Sequence, residues 1–283
     1  MANIRDTRSA GAKVGLFFAY VVMVFFAVMA IGPLVWLVLS SFKTTTEYQL
    51  HKLGFPRKWV IINYVDAWKR GKFPTLIFNS VFYTGITTVV TLALSFMASF
   101  AFAKIPNKAT KALHGSFIIG LLLTLQSIMV PLFLMINWAH LYDTRLGVLL
   151  PYIGIAMPMA VYLATDYIKS IPDALVESAR IDGASYLRIF RSIIVPMASP
   201  VASTVAILTV TGTWNEFMLI NILTSKDKLK SLPVGIQKFA GALSSDFGKQ
   251  FAALVIGLIP MLVFYLAFRK EITKGVAAGA VKG

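Results

Sequence analysis

The sequence predicts an all-α polytopic membrane protein, and three observations carry that reading. Hydrophobic residues make up 57% of the 283-residue chain, above the ~45–50% of a soluble domain. They are gathered into long runs, and the charged residues, 14% of the chain, fall mostly between those runs. Six runs of at least 18 residues stand out, at 14–42, 76–103, 112–136, 146–165, 199–223 and 251–268. Each is near the ~20 residues that cross ~30 Å of hydrocarbon as a helix. Lipid offers backbone N–H and C=O groups no partner, so each run is read as a transmembrane helix. Pro33, Pro131, Pro151, Pro158 and Pro260 lie inside these runs and predict kinks. No polar interval reaches 50 residues, so a single transmembrane domain over 1–283 is expected, with no soluble domain.

The first run justifies itself by length. Arg5, Arg8 and Lys13 precede it like the basic start of a signal peptide, but 29 residues are too many for a ~7–15-residue signal core. It is read as a retained helix. The chain carries 27 Lys+Arg against 12 Asp+Glu, a net charge of +15. In a soluble protein this would suggest nucleic acid. Here basic residues flank membrane runs and meet anionic headgroups, so no nucleic-acid partner is expected.

Several chemistries are missing from the sequence. There is no cysteine, hence no disulfide, thiolate ligand or cysteine nucleophile. No G-x-x-x-x-G-K-[ST] loop, H-E-x-x-H pair or nucleophile elbow occurs, and His51, His114 and His140 are isolated. No catalytic residue, metal site or cofactor is therefore expected in this chain. Transport machinery driven by a separate motor fits the pattern.

Charge orients the runs. With the N-terminus inside, 14 of the 27 basic residues fall in inner segments and 13 in outer ones, which does not discriminate. The short loops do. Lys104, Lys108 and Lys111 lie between runs two and three, against Arg145 alone between runs three and four. Short loops carry the positive-inside rule best, so an inside N-terminus is favoured.

The most informative interval is 171–196, between runs four and five. Pro172 suits the first turn of a helix, and Asp173 suits its positive end. Residues 174–181 make a short helix. Gly183 stands where that helix turns left-handed or breaks. Ser185 caps a second helix, in which Tyr186, Ile189, Phe190 and Ile193 repeat at helical spacing to give one apolar face. Pro196 ends it. Ala174, Ser178 and Ala179 are small enough to let a partner approach, and Glu177 and Asp182 offer it acceptors.

Glu177-Ser178-Ala179-Arg180-Ile181-Asp182-Gly183-Ala184-Ser185, followed by Phe190, Ile194, Pro196 and Pro200, resembles the coupling ("EAA") loop of ABC importer permeases. Ser178 stands where that family usually has alanine. Further motifs resemble the six-span branch of the maltose-type carbohydrate permeases. These are Ser41-Phe42-Lys43-Thr44, Asn63-Tyr64, Asn79-Ser80, Trp214-Asn215-Glu216-Phe217 and the terminal Gly279-Ala280-Val281-Lys282-Gly283. The resemblance covers nearly the whole chain. It implies an inner-membrane subunit with both termini cytoplasmic, forming half of a translocation pathway for a carbohydrate or polyol. A second related permease, two ATPase subunits and an extracytoplasmic solute-binding protein are the implied partners, with ATP and magnesium held by the ATPases. It further implies that Glu177, Ser178, Ala179, Asp182, Gly183 and Ala184 meet an ATPase, and that the tail 279–283, within the segment 269–283, enters between the two ATPases.

For the solute path, the sequence nominates Trp214, Asn215 and Glu216, with Gln126, Ser127 and Asn137 as weaker candidates. Glu216 is the one carboxylate well inside a run, and membrane-embedded charge usually faces a polar cavity or a partner. Either a carbohydrate-facing wall or an interhelical hydrogen bond accounts for it. The long loop 224–250, with Lys226, Lys228 and Lys230, is expected outside. The segment 63–71 reads as an interfacial amphipathic turn. An autonomous secondary transporter is the competing function. It would require internal repeats and ion-coupling carboxylates at mid-membrane, for which Glu216 is the lone candidate.

Overall fold

The computed structural model describes residues 10–105, 107–242 and 246–280, and all regular structure among them is helical. Four helices are long and apolar enough to cross a membrane: Gly15–Ser41, Phe73–Lys104, Arg145–Lys169 and Phe247–Lys270. Two further pairs of helices reach that length and apolarity only when taken together across a bend. The chain thus holds four candidate spans, or up to six if each bent pair is one span.

It divides into two compact units, Met1–Gly71 with Phe239–Leu258 and Lys72–Lys238 with Ile259–Gly283. The first unit contains α1 (Ala10–Ser41), α2 (Thr45–Leu50), α3 (Ile62–Arg70) and the start of the last helix, Phe247–Ala280. No residue in the most apolar stretch of α1 is buried among the described residues. Where α1 ends, polar residues take over. Asn63 Nδ2 donates to Ser41 O at 2.8 Å and Lys43 O at 3.0 Å, and the Ser41 and Tyr64 hydroxyls meet at 2.6 Å. The Lys43 ammonium, 1% exposed, donates to His51 O at 2.9 Å. A Cβ on Gly248 would lie 2.3 Å from Lys43 O, so only glycine lets the last helix pass this point. In α3, Asn63 and Ala67 are buried while Val65 and Trp68 face outward, giving the amphipathic element expected at 63–71.

The second unit is built on α4 (Phe73–Lys104), α7 (Arg145–Lys169) and α11 (Ser199–Asn215). The buried face of α4 runs Thr84, Thr87, Thr88, Thr91, Ser95 and Ser99. The spacing of three and four keeps these on one stripe, and their small side chains let helix axes approach closely. Ser99 Oγ donates across to Val161 O at 3.2 Å. The facing residues of α7 include Ala160, Val161, Ala164 and Ile168, all essentially inaccessible.

Two runs differ from the expected continuous helices. The run expected at 112–136 is divided into α5 (Lys108–Gly120) and α6 (Leu125–Trp138), which meet at 110°. No proline lies at this break. Thr124 is in extended conformation, its hydroxyl meets Ser127 Oγ at 2.7 Å, and it starts a new helix there. Gly120 ends α5 against Pro158, leaving 3.0 Å for a Cβ. The run expected at 199–223 ends as α11 at Asn215 and resumes as the short α12 (Met218–Leu223). Pro33, Pro131, Pro151, Pro158 and Pro260, by contrast, all sit inside unbroken helices.

Candidate functional site

The helix–glycine turn–helix expected over 171–196 is present, but Pro196 does not end it: that residue lies inside α10 (Val195–Met197), where proline is tolerated in a first turn. Helix α8 (Asp173–Ile181) inserts Val176 into the core and leaves Ala174, Glu177 and Ser178 exposed. It ends in a Schellman turn: Ala184 N donates to Ala179 O at 2.9 Å and Gly183 N to Arg180 O at 3.0 Å. Gly183 has φ +79°, a value that side chains disfavour. Ser185 Oγ accepts from Arg188 N at 3.3 Å and starts α9 (Tyr186–Ile189). A π-helical turn over Phe190–Ile194 follows, then α10 (Val195–Met197) before the bend into α11. Ile189 and Ile194 are buried, and Phe190 and Ile193 pack on the same core. The apolar face expected of this helix is thus present, with Tyr186 at its margin, 43% exposed.

The face of α8 turned away from the core carries small and acidic side chains. Ala179 is half-buried, Asp182 and Gly183 are exposed, and Ala184 lines a cleft of about 230 Å³ with Asp182, Arg188 and Ser192. Two features escaped the sequence reading. Ile181 projects with 86% of its surface exposed. Lys104, at the end of α4, has a side chain only 2% exposed and reaches Ile171 O at 2.5 Å and Asp173 Oδ1 at 2.6 Å. It straps the start of α8 to the bundle. A basic residue after a run looks like an ordinary flanking charge, so only long-range geometry distinguishes it.

Glu216 sits at the junction of α11 and α12 rather than within a helix. Its backbone is extended, its Oε1 accepts from Leu219 N at 2.7 Å, and its Oε2 accepts from Ile220 N at 3.3 Å. The carboxylate therefore satisfies free amides in the first turn of α12, at the point where the expected run is interrupted. The Tyr152 hydroxyl donates to the same carboxylate at 2.7 Å. Both side chains line a cavity of about 300 Å³ with Leu125, Met159, Thr209 and Thr213. Trp214 is buried away from it, and Asn215 Nδ2 donates back to Thr211 O in its own helix. Of the three nominated path residues, Glu216 alone faces the cavity. Gln126, Ser127 and Asn137 are exposed.

At the opposite end of the bundle from α8, the first part of the loop 224–250 is ordered. Asn79 Nδ2 donates to Lys228 O at 2.8 Å and Lys230 O at 2.9 Å. Ser80 Oγ accepts from Leu232 N at 2.8 Å, and the Tyr83 hydroxyl donates to Leu229 O at 3.1 Å. The Lys230 ammonium is buried among Asn221 O, Asn221 Oδ1 and Thr224 O, and that burial lowers its pKa. Asp143 joins the α6–α7 turn to the same loop. Burial opposes its charge, but the Ser225 hydroxyl, the Lys226 and Ser225 amides and the Lys226 ammonium hold its carboxyl well below the usual range. The helix α13 (Leu232–Ala242) continues from there. Of the terminal tail, Gly279 and Ala280 end the last helix, and Val281, Lys282 and Gly283 lie outside the described residues.

The second unit thus combines lipid-length helices, a cavity bordered by the α11–α12 bend and an exposed helix–turn–helix at one end. Residues 97–270 match the binding-protein-dependent transport system inner membrane component family, and the chain belongs to that family. It is 34% identical to the trehalose transport system permease protein SugB of Mycobacterium tuberculosis, over 90% of this chain and 93% of that one. It is 32% identical to the multiple sugar-binding transport system permease protein MsmG of Streptococcus mutans, over 95% and 98%. The fold is similar to a chain of a bacterial ABC transporter that imports the acidic polysaccharide alginate. That likeness has a TM-score of 0.82 at 22% identity and covers 94% of this chain and 99% of that one. The chain is a transport permease subunit, not an enzyme.

Proposed function

We propose that the chain forms half of the translocation pathway of an ATP-driven importer for a carbohydrate, acting as one six-span transmembrane domain. The observation that carries this is the α8–Gly183–α9 element, an exposed small-and-acidic surface strapped to the helix bundle by Lys104. In this reading Glu177, Ser178, Ala179, Asp182, Gly183 and Ala184 dock into an ATPase subunit, and both termini are cytoplasmic. The tail 279–283 enters between the two ATPases, which hold ATP and magnesium. A related permease supplies the other half of the pathway, and a solute-binding protein delivers the cargo to the end formed by residues 224–242. The sugar-transport names of two close relatives support the carbohydrate class.

The cavity bordered by Tyr152, Thr209, Thr213 and Glu216 is the stretch of pathway wall this chain contributes. An autonomous secondary transporter fits less well. Its coupling ion would require a carboxylate open to protonation or metal, whereas Glu216 already accepts from the Leu219 amide and from Tyr152.

Gly183 supplies the test. No atom lies within 4 Å of a Cβ built there, so the chain itself leaves room and only φ restrains the position. Gly183→Asn and Gly183→Asp have nearly the same shape, and both residues tolerate a left-handed backbone. In the assembled complex, Gly183→Asp is expected to abolish solute-stimulated ATPase activity and transport, and Gly183→Asn to retain more of both. Wild-type values for Gly183→Asp would refute docking at this turn.

A further inference from the structure

We propose that the cleft between the starts of α4 and α7 and the segment 227–229 binds the phosphodiester of an anionic phospholipid. The cleft has a volume of about 620 Å³ and is lined by Pro74, Thr75, Phe78, Asn79, Arg145 and Lys228, with Leu229 at its floor. Its centre is Arg145. The guanidinium lies 4.4 Å over the Phe82 ring and 5.5 Å from the Phe78 ring, and makes one long bond of 3.4 Å to Asn79 Oδ1. Stacking fixes the plane of the fork and leaves most of its five N–H donors directed elsewhere.

Among the described residues no carboxylate pairs with Arg145. The acidic groups at this end are already engaged: Asp143 by Ser225 and Lys226, and Asp227 by Lys238 at 3.0 Å. A half-buried cation held against two rings without a counter-charge is costly, and an oxyanion that takes the fork in bidentate fashion relieves that cost. Lys228 supplies a second, mobile positive charge. The first turns of α4 and α7 add their positive ends to a field already made by side chains.

The surroundings select a lipid over a free anion. Phe78 and Val81 on α4 are 58% and 55% exposed, so apolar surface runs from the cleft down a membrane-length helix. An acyl chain covers that surface and a soluble anion does not. Only the choice of leaflet rests on the placement proposed above. The chemistry of the cleft does not.

The test measures phosphatidylglycerol retained by the protein purified from its own membrane, with whatever subunits accompany it, and washed in detergent. It compares wild type, Arg145→Met, Lys228→Gln and the exposed control Lys58→Gln. Wild type and control are expected to retain the lipid. Arg145→Met should lose about tenfold, as expected for a charge-assisted bidentate contact, and Lys228→Gln about threefold, as expected for a more exposed charge. Equal retention in all four overturns the proposal. So does displacement of the lipid by millimolar inorganic phosphate, which would make a soluble oxyanion the occupant. If Arg145→Met does not assemble, unchanged retention in Lys228→Gln overturns it alone. Lipid content is read without transport, so failure of the importer reading leaves this result intact.

Discussion

The two ends of the second unit treat polar side chains in opposite ways. At the end formed by the starts of α4 and α7, the polar groups other than Arg145 and Lys228 are largely consumed internally. Asn79, Ser80, Tyr83, Asp143 and Lys230 each bond to the backbone of residues 221–232. At the α8–α9 end, Lys104 and Ser185 do structural work, while Glu177, Ser178 and Asp182 stay on the surface. One end is tied together by its own chain around the Arg145 cleft. The other carries an element whose small and acidic face is exposed, as the docking proposed above requires.

Cutting the strap should have the largest effect. Lys104→Met is expected to lower transport per ATP hydrolysed by roughly tenfold, within the range of a typical coupling free energy. Lys104→Arg should restore much of it, because the guanidinium can still reach Ile171 O and Asp173. Equal loss in both variants, with normal assembly, would mean the strap only helps folding.

Next is the tied end. Lys230→Met strands Asn221 O and Thr224 O and removes a buried charge-assisted network, at a cost of about 2 kcal/mol. A lower Tm of the purified complex, with the ATPase docking of α8–α9 unaffected, is the expected signature. A loss of docking would break the contrast between the two ends.

Asp143 gives a smaller, pH-dependent effect. Its folded pKa lies below its unfolded one, so its contribution is complete above about pH 4 and fades as the pH falls further. Asp143→Asn should lower Tm at neutral pH and flatten the acid dependence of unfolding. An unchanged acid limb would assign that dependence to other carboxylates.

The smallest effect is expected in the stripe between the ends. Thr87 is fully buried, and its hydroxyl has no hydrogen-bond partner among the described residues. Thr87→Val keeps the shape and removes that polar atom, so Tm should change by no more than about 0.5 kcal/mol equivalent, in either direction. A larger loss would show that the α4–α7 contact depends on the hydroxyl itself.

Much of this was legible in advance because its causes are local. Gly183 and Ser185 each act within one helical turn, and each behaves as its position in the sequence implies. The motifs Ser41–Thr44, Asn63–Tyr64 and Asn79–Ser80 could be noticed as signatures, but their bonds join segments 20 or more residues apart. The role of Glu216 was open for the same reason. Its carboxylate reads as a wall residue or a packing residue until the helix is seen to stop beneath it.

The amino-acid order alone determined the helical class, the apolar runs and the glycine-bent pair α8–α9, because burial in lipid, helical periodicity and capping depend on near neighbours. Tertiary structure decided where runs break, which cation becomes a strap, and which of three adjacent residues meets the cavity. Those outcomes depend on what a distant segment places beside each side chain, as Tyr152 beside Glu216 and Asp173 beside Lys104 show.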